Sequence, residues 1–213
     1  MKSNSPIRIA YNPDFAPFSH VVKGTPSGII LERIMDVFQA ADIDYEFLPT
    51  KLVNLTADLM AGKIDALAAL AITPARLKTL SFTKPMIISG GAWFTLANND
   101  PLIDGGIPKS VITPKVGPLV GQIKNLFPEI DLKTSSDYDA ALKAVVDGEV
   151  QAAALNWHVG RMLITDKYAS IFHHPKAPFN TIPLAIATKA GDPLKIIERL
   201  NIHIPDDWGY DPL

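Results

Sequence analysis

A chain of 213 residues with 47% hydrophobic content can bury a sizeable core, and its length suits one domain or two small ones better than three. Lys+Arg 20 against Asp+Glu 22 leaves a net charge of -2, which supplies no field to recruit nucleic acid, and the lack of cysteine removes disulfides, thiol nucleophiles and thiolate metal sites. The N-terminal stretch Met1 to Pro6 is short and polar and carries no secretion signal, so the chain is expected to be cytosolic or to have lost a leader. Apolar runs such as Ala66 to Ile72 fall well short of the ~20 residues needed to cross a bilayer, which predicts a soluble protein.

Ile7 to Tyr11 reads as a strand that breaks into a loop at Asn12-Pro13-Asp14. From Ile29 to Ala41, Ile30, Ile34, Val37 and Phe38 recur on one helical face, with Glu32, Arg33 and Asp36 away from it. A second strand runs over Tyr45 to Leu48 and is closed by Pro49. A helix over Leu52 to Ala61 ends at Gly62, a residue type that tolerates the left-handed conformation after a helix. Ala66 to Ala71 is then too short and too uniformly apolar for a surface helix and reads as a buried strand. Alternating strands and helices build a parallel sheet with helices on its faces, because each parallel return needs a crossover.

After a further strand over Trp93 to Ala97, the composition shifts to Asn98-Asn99-Asp100-Pro101 and Asp104-Gly105-Gly106, and a lobe boundary is expected near Asn99. Beyond it, LKAVVDGEVQAAA (Leu142 to Ala154) repeats the pattern of LTADLMAGKIDALAA (Leu55 to Ala69), with Gly62 and Gly148 as matching turns. Two lobes built from one helix-to-strand unit follow. A late strand, Ile182 to Thr188, and a late helix, Leu194 to Leu200, can cross back to the first lobe. The expected division is 1–98 with 184–213 against 99–183, joined by two crossover strands.

The segment most informative about chemistry is Thr73-Pro74-Ala75-Arg76. Thr73 is a good N-cap, Pro74 suits the first helical position, and Arg76 falls in the first turn beside unpaired backbone N–H groups. A guanidinium there adds a bidentate fork for a carboxylate or phosphate to the helix dipole. The plainer alternative is a capped helix whose arginine points into solvent.

In these segments the chain resembles the family 3 extracytoplasmic solute-binding proteins, of the type II periplasmic-binding-protein fold. The matching stretches are IRIAYNPDFAPFS from Ile7, SGIILERIMDVFQAADIDYEFLP from Ser27, LMAGKIDALAALAITPAR from Leu59 and LSFTKPMIISG from Leu80. They continue as VGPLVGQ at Val116 to Gln122, GEVQAAALN at Gly148 to Asn156 and IPLAIATKAGDPL at Ile182 to Leu194. The resemblance implies an α/β two-lobed clamshell that closes on a small ligand, with no cofactor, no metal and a monomeric state. It also implies a periplasmic or cell-surface location and the membrane subunits of an ABC transporter as partners; the sensing domain of a receptor is the alternative.

By the same resemblance, a ligand carboxylate is held by Arg76 and by backbone of the same turn, Ala71 and Thr73. An aromatic from the first loop, Phe15, packs over the ligand, while Phe18 is structural. The second lobe contributes Gly121 and Gln122 at a helix N-terminus and Asn156 at a strand end. Amino-acid binders of the family carry Asp where this chain has Asn12 and Asn156, and these carboxylates neutralise the ligand's ammonium group. Their hydroxyl residues are here Ala68, Ala69 and Ala71, and the residue after the second-lobe glycine is Gln122. Each lost charge-assisted hydrogen bond is worth about 1.5–3 kcal/mol. The expected ligand is therefore a small anion, an organic acid or an atypical amino-acid derivative, without an ammonium to be paired.

Trp157, directly after Asn156, is open to two readings, a flat wall for the ligand or packing; for Trp93, inside a strand, packing is favoured. Trp208 reads as a local anchor. His20, His158, His173, His174 and His203 do not form a metal-ligand spacing. Ser89-Gly90-Gly91 and Gly105-Gly106 lack the strand-then-helix context of a phosphate-binding loop. An enzyme of the cyclohexadienyl dehydratase kind would need a titrating group in the site. Asn12 and Asn156 do not titrate, and Asp14 and His158 are only nearby in sequence, so a binder is expected.

Overall fold

The computed structural model describes residues 5–98 and 106–208. In chain order the elements are β1 (Ile7–Tyr11), β2 (Asp14–Phe15), β3 (Ser19–Val22), β4 (Thr25–Ser27), α1 (Ile29–Ala40), β5 (Tyr45–Pro49), α2 (Leu55–Met60) and β6 (Ala66–Ala71). A single 3-10 turn at Arg76–Lys78 leads to β7 (Leu80–Phe82), β8 (Ile87–Ser89) and β9 (Gly91–Phe94). Then come β10 (Ser110–Pro114), α3 (Leu119–Leu126), β11 (Asp131–Ser135), α4 (Tyr138–Val146), β12 (Ala152–Asn156), α5 (Trp157–Lys167), β13 (Ile182–Lys189) and α6 (Ile196–Asn201).

The chain divides into two compact units, Met1–Ile88 with Ile182–Leu213, and Ser89–Thr181. The first unit is built on the strand order β5-β1-β6-β13-β7, with β8 pairing β13. β1 runs parallel to β5 and β6, whereas β13 returns antiparallel to β6 and β7. The expected face of α1 is the buried one: Ile30, Leu31, Ile34, Val37 and Phe38 all lie inside. Leu55, Leu59, Ile64, Leu67, Leu70 and Leu80 close a second apolar cluster over Ala10 and Ala187. Arg8 straps this sheet to the turn after α2, pairing with Asp65 at 2.8 Å and donating to the Gly62 carbonyl. The helix expected from Leu52 starts only at Leu55, because residues 52–54 form a turn.

The second unit has the order β11-β10-β12-β9, with β10 parallel to β11 and β12, and β9 antiparallel to β12. Its core joins Phe94, Ile112, Leu142, Val145, Leu155, Ile164 and Phe172. The division differs from the expected one. β9 hydrogen-bonds along β12, with Phe94 opposite Ala153 and Gly91 opposite Asn156, so residues from Ser89 onward belong to the second unit and the return falls at Ile182. Asn99, where the boundary was expected, and the tail beyond Trp208 lie outside the described residues.

The repeated helix–glycine–strand pattern appears once in each unit. Gly62, between α2 and β6, has φ +73, and Gly148, between α4 and β12, has φ +76. Both take the left-handed conformation that closes a helix before the chain turns into a strand, and that a Cβ would disfavour.

Candidate functional site

In open α/β sheets, ligands sit at the carboxyl ends of the strands. At that end of β6 the chain leaves Ala71 and enters Ile72-Thr73-Pro74. The Thr73 hydroxyl accepts from the Arg76 N–H at 3.3 Å, and the Thr73 carbonyl from the Leu77 N–H at 3.0 Å, so Thr73 does cap the turn. The full helix expected there is absent. Only Arg76–Lys78 is helical, as a 3-10 turn, because Thr79 already hands the chain to β7. Three residues align too few peptides to give a helix dipole, so the positive character of this site rests on the Arg76 guanidinium.

That guanidinium is half-buried and donates through Nη1 to the Ala71 carbonyl at 2.9 Å. Burial pushes its pKa below the ordinary guanidinium value, which leaves it charged but poorly solvated. No carboxylate pairs with it among the described residues. The plainer reading of an arginine turned into solvent does not describe a half-buried side chain.

Asn12 follows β1 at the same end of the sheet. Its side-chain Oδ1 accepts from the Asp14 N–H at 3.2 Å and its carbonyl from the Ser19 hydroxyl at 2.7 Å. Phe15, in β2, is half-buried, with its ring 4.9 Å from that of Phe18, which is fully buried. Ala68 and Ala71 are buried and offer no polar atom from their side chains.

In the second unit, the carboxyl end of β12 is Asn156, only 8% exposed. Its Oδ1 caps α5, accepting from the His158 N–H at 3.1 Å and the Val159 N–H at 3.3 Å, and also from the Ser89 hydroxyl at 3.2 Å. Ser89 Oγ in turn lies 2.8 Å from His158 Nδ1, and both residues are buried. Burial, and then the nearby Arg161 charge, push the His158 pKa down to about 4, so the ring is neutral near pH 7. Trp157 is half-buried against the core of the second unit. Its indole N–H donates to the Pro175 carbonyl at 2.9 Å and the Arg161 guanidinium lies 5.3 Å from its ring centre. Trp93 stacks on Phe179 at 4.2 Å between ring centres and meets Phe127 edge-on, which makes it a packing residue.

β9 begins at this edge too, since it runs opposite to β12. The Gly91 N–H donates to Asn180 Oδ1 at 2.7 Å, and Asn180 Nδ2 donates to Gln122 Oε1 at 2.8 Å. Gln122 sits in the first turn of α3, and beside it Gly121 is exposed, with open space where a Cβ would stand. The two glycines after β8 exist for close approach. A Cβ on Gly90 would lie 1.9 Å from the Asn180 carbonyl oxygen, and one on Gly91 would lie 2.4 Å from the Phe179 ring.

Within the first unit, then, Asn12, Phe15, Ala71, Thr73 and Arg76 all follow or border the strand ends of β1 and β6. Within the second, Gln122, Asn156 and Trp157 share one edge. Sequence reasoning missed Asn180, and weighed Ser89 only within Ser89-Gly90-Gly91. Its one usable signal was the pair Gly90-Gly91, tested only as a phosphate loop and not as the mark of a second backbone passing close by. His173 and His174 are exposed, and no cluster of three or more metal-ligating side chains exists among the described residues. No helix among those residues is long and apolar enough to cross a membrane. Trp208 anchors to α1, where the Arg33 guanidinium lies 5.0 Å from its ring centre.

The sequence pattern of the bacterial extracellular solute-binding proteins, family 3, matches residues 7–194. The chain belongs to this family. A protein of Campylobacter jejuni named "probable histidine-binding protein" is 23% identical over 148 residues, which span 68% of this chain and 58% of that relative. The chain thus matches little more than half of that relative's length. The Bordetella pertussis BvgS periplasmic VFT2 domain superposes with a TM-score of 0.82 at 20% identity, covering 95% of this chain and 89% of that one. A histidine kinase sensor domain with similarity to periplasmic binding proteins superposes with a TM-score of 0.78 at 18% identity, covering 93% of this chain and 88% of that one. The fold is that of the two-lobed periplasmic binding proteins, and the family is extracytoplasmic.

Proposed function

We propose that this family 3 domain captures a small anionic ligand, an organic acid or an atypical amino-acid derivative, through Arg76, and that it is a binder and not an enzyme. One observation carries the reading. Arg76 is a half-buried cation whose protein contact is the Ala71 carbonyl, with no carboxylate partner among the described residues. Desolvating a charge without a counter-ion is costly, and an anionic ligand is the missing half of the pair. The ligand's capture serves an ABC transporter in this reading, with Phe15 as an apolar surface in the same unit as Arg76.

The neighbouring histidine kinase sensor domain favours a second reading in which the same binding event feeds a signalling protein. The relative from Campylobacter jejuni points by its name to an amino acid, but Asn12 and Asn156 supply no carboxylate for an ammonium group. The test is a thermal-shift screen of organic acids, phosphates and the standard L-amino acids, since a ligand that binds the folded state raises Tm by mass action. Carboxylates without an ammonium are expected to raise Tm in the native protein and to leave Arg76→Ala unmoved. Micromolar calorimetric binding of any standard L-amino acid, L-histidine included, sinks the assignment. Turnover of prephenate or arogenate, abolished by Asp14→Ala, replaces the binder with an enzyme.

A further inference from the structure

The first unit gives up the chain after Ile88 and takes it back at Ile182, so residues 84–88 form its exit. This stretch is gripped by the last described segment of the chain, from the end of α6 onward. The Lys84 N–H donates to Asn201 Oδ1 at 2.8 Å, and the Lys84 ammonium reaches the Ile204 carbonyl at 3.3 Å and Asp206 Oδ1 at 2.6 Å. Two residues on, the Met86 N–H donates to the Leu184 carbonyl of β13 at 2.8 Å. The Met86 carbonyl is turned to α1, where it accepts from Nη1 of Arg33. The same nitrogen donates to the Trp208 carbonyl at 2.9 Å, and the guanidinium lies 5.0 Å from the Trp208 ring centre. Met86 and Ile204 are both buried, so apolar packing fixes exit and segment between the two cations.

We propose that residues 201–208 are a clasp on the exit of the first unit and that Arg33 couples the two, so that displacing the clasp loosens the start of β8 and displacing β8 loosens the clasp. All of these groups belong to the first unit. What couples them, beyond proximity, is the geometry of the donor. The two N–H bonds of a guanidinium nitrogen lie in one plane at a fixed angle, so a carbonyl held by each cannot shift without turning that plane away from the other. The Trp208 ring beside the same guanidinium resists that turn. The exposed Lys84–Asp206 ion pair is worth little by itself and serves as a second, weaker grip. Coupling of this kind is reciprocal, because each side changes the other's equilibrium by the same factor. Whatever displaces the segment after α6 thereby acts on the strand that leaves the unit, without touching a ligand.

Hydrogen exchange of the full chain, read by mass spectrometry, tests the clasp in peptides covering residues 84–89 and 201–208. The turn at 62–66, which Arg8 holds in the same unit, is the control. Trp208→Ala is expected to speed exchange at 84–89 by about tenfold, the scale of one hydrogen bond to a charged group. Arg33→Lys keeps the charge and gives up the planar fork, and is expected to speed exchange at both 84–89 and 201–208 by a similar factor. The double variant should exchange no faster at 84–89 than Arg33→Lys alone, since both substitutions break one link. Fast exchange confined to 201–208 in a folded Trp208→Ala overturns the proposal. So do additive effects in the double variant and an Arg33→Lys indistinguishable from the native protein. A rise shared equally by the 62–66 control marks a general loss of stability and overturns it too. Where the Arg33 variant fails to fold, as judged by circular dichroism, Trp208→Ala paired with Lys84→Met carries the test. Each is then expected to speed exchange at both segments, and confinement of either effect to its own segment sinks the coupling.

Discussion

The two units carry the same helix–glycine–strand segment and spend its carboxyl end differently. After β6 the chain makes one 3-10 turn and presents a cation, Arg76; after β12 it enters α5 at once, and Asn156 is consumed as the cap. What separates them is the length of helix that follows the strand. Three residues at Arg76–Lys78 cannot concentrate charge through aligned peptides, so a side chain must bring it. The eleven residues of α5 have free N–H groups that demand an acceptor, and the residue supplying it is left with only donors to show. One repeat thus yields a charge and the other a neutral, oriented contact.

Removing the charge breaks this comparison most severely. Truncating one partner of a buried, hydrogen-bonded charge pair costs about 2–5 kcal/mol, so Arg76→Ala should weaken an anionic ligand by about two orders of magnitude or more. The same cation, desolvated and facing only a carbonyl, adds little to the ligand-free fold. Arg76→Met is expected to lose the ligand while leaving the ligand-free Tm unchanged or slightly higher. A sharp fall in that Tm would make Arg76 a structural residue.

Acid separates the units by pH window. His158 has its pKa lowered from 6.5 to about 4, so the unfolded chain takes up a proton on this ring before the folded one does. Stability is full above pH 6.5 and falls as pH drops from there through about 4, by about 3 kcal/mol for such a shift. In the first unit, the hydrogen bond from Arg8 holds the Asp65 carboxyl below its ordinary 3.8, so that contribution is lost only at lower pH. Urea midpoints measured between pH 7 and pH 4.5 should decline in the native protein and flatten in His158→Gln. Equal decline in both would remove His158 from the account.

Much of this architecture was legible in the chain itself, and for stated reasons. Periodicity placed α1, because Ile30, Ile34, Val37 and Phe38 must all be buried, and the glycines at 62 and 148 marked both helix ends. Local pattern could not place β9, whose unit is decided by a partner strand some sixty residues on. Nor could it reveal that the Thr73 turn stops after three helical residues, since β7 pairs with β13 and draws the chain away. The amides at 12 and 156 were visible as absent carboxylates, and Gln122 as an absent hydroxyl. Their orientation was not, although the donors at Asp14, His158 and Val159 lie only two or three residues along the chain; Gly91, which fixes Asn180 and through it Gln122, is brought near only by the fold. The contacts of Ser89 with His158 and of Asn180 with Gly91 were invisible too, because they join residues far apart in the chain.

Packing around the amides gives a third, smaller effect, and it sharpens the contrast between tight and open glycines of the second unit. A Cβ on Gly160 would lie 2.2 Å from the ring of Phe94, itself fully buried. Overpacking of this kind costs about 1–3 kcal/mol, and Gly160→Ala should show it as a lowered urea midpoint with unchanged slope. Gly121→Ala, which meets open space on α3, should instead be neutral or stabilising by about 0.5–1 kcal/mol. Similar losses at both positions would mean that α5 and α3 are packed alike against their sheet.

The smallest effect isolates the cap from the contact. Asn156→Ala removes the acceptor for two backbone N–H groups of α5 and for Ser89, and should cost about 0.5–2 kcal/mol of stability. Asn156→Asp retains an acceptor and should cost less, because a carboxylate also suits the positive end of an eleven-residue helix. The two variants therefore part company in stability while both lose the NH2 group. Should Asp be as destabilising as Ala by urea titration, the side chain at 156 would be holding the strand end through contacts other than the cap, and its orientation would no longer follow from the helix that β12 feeds.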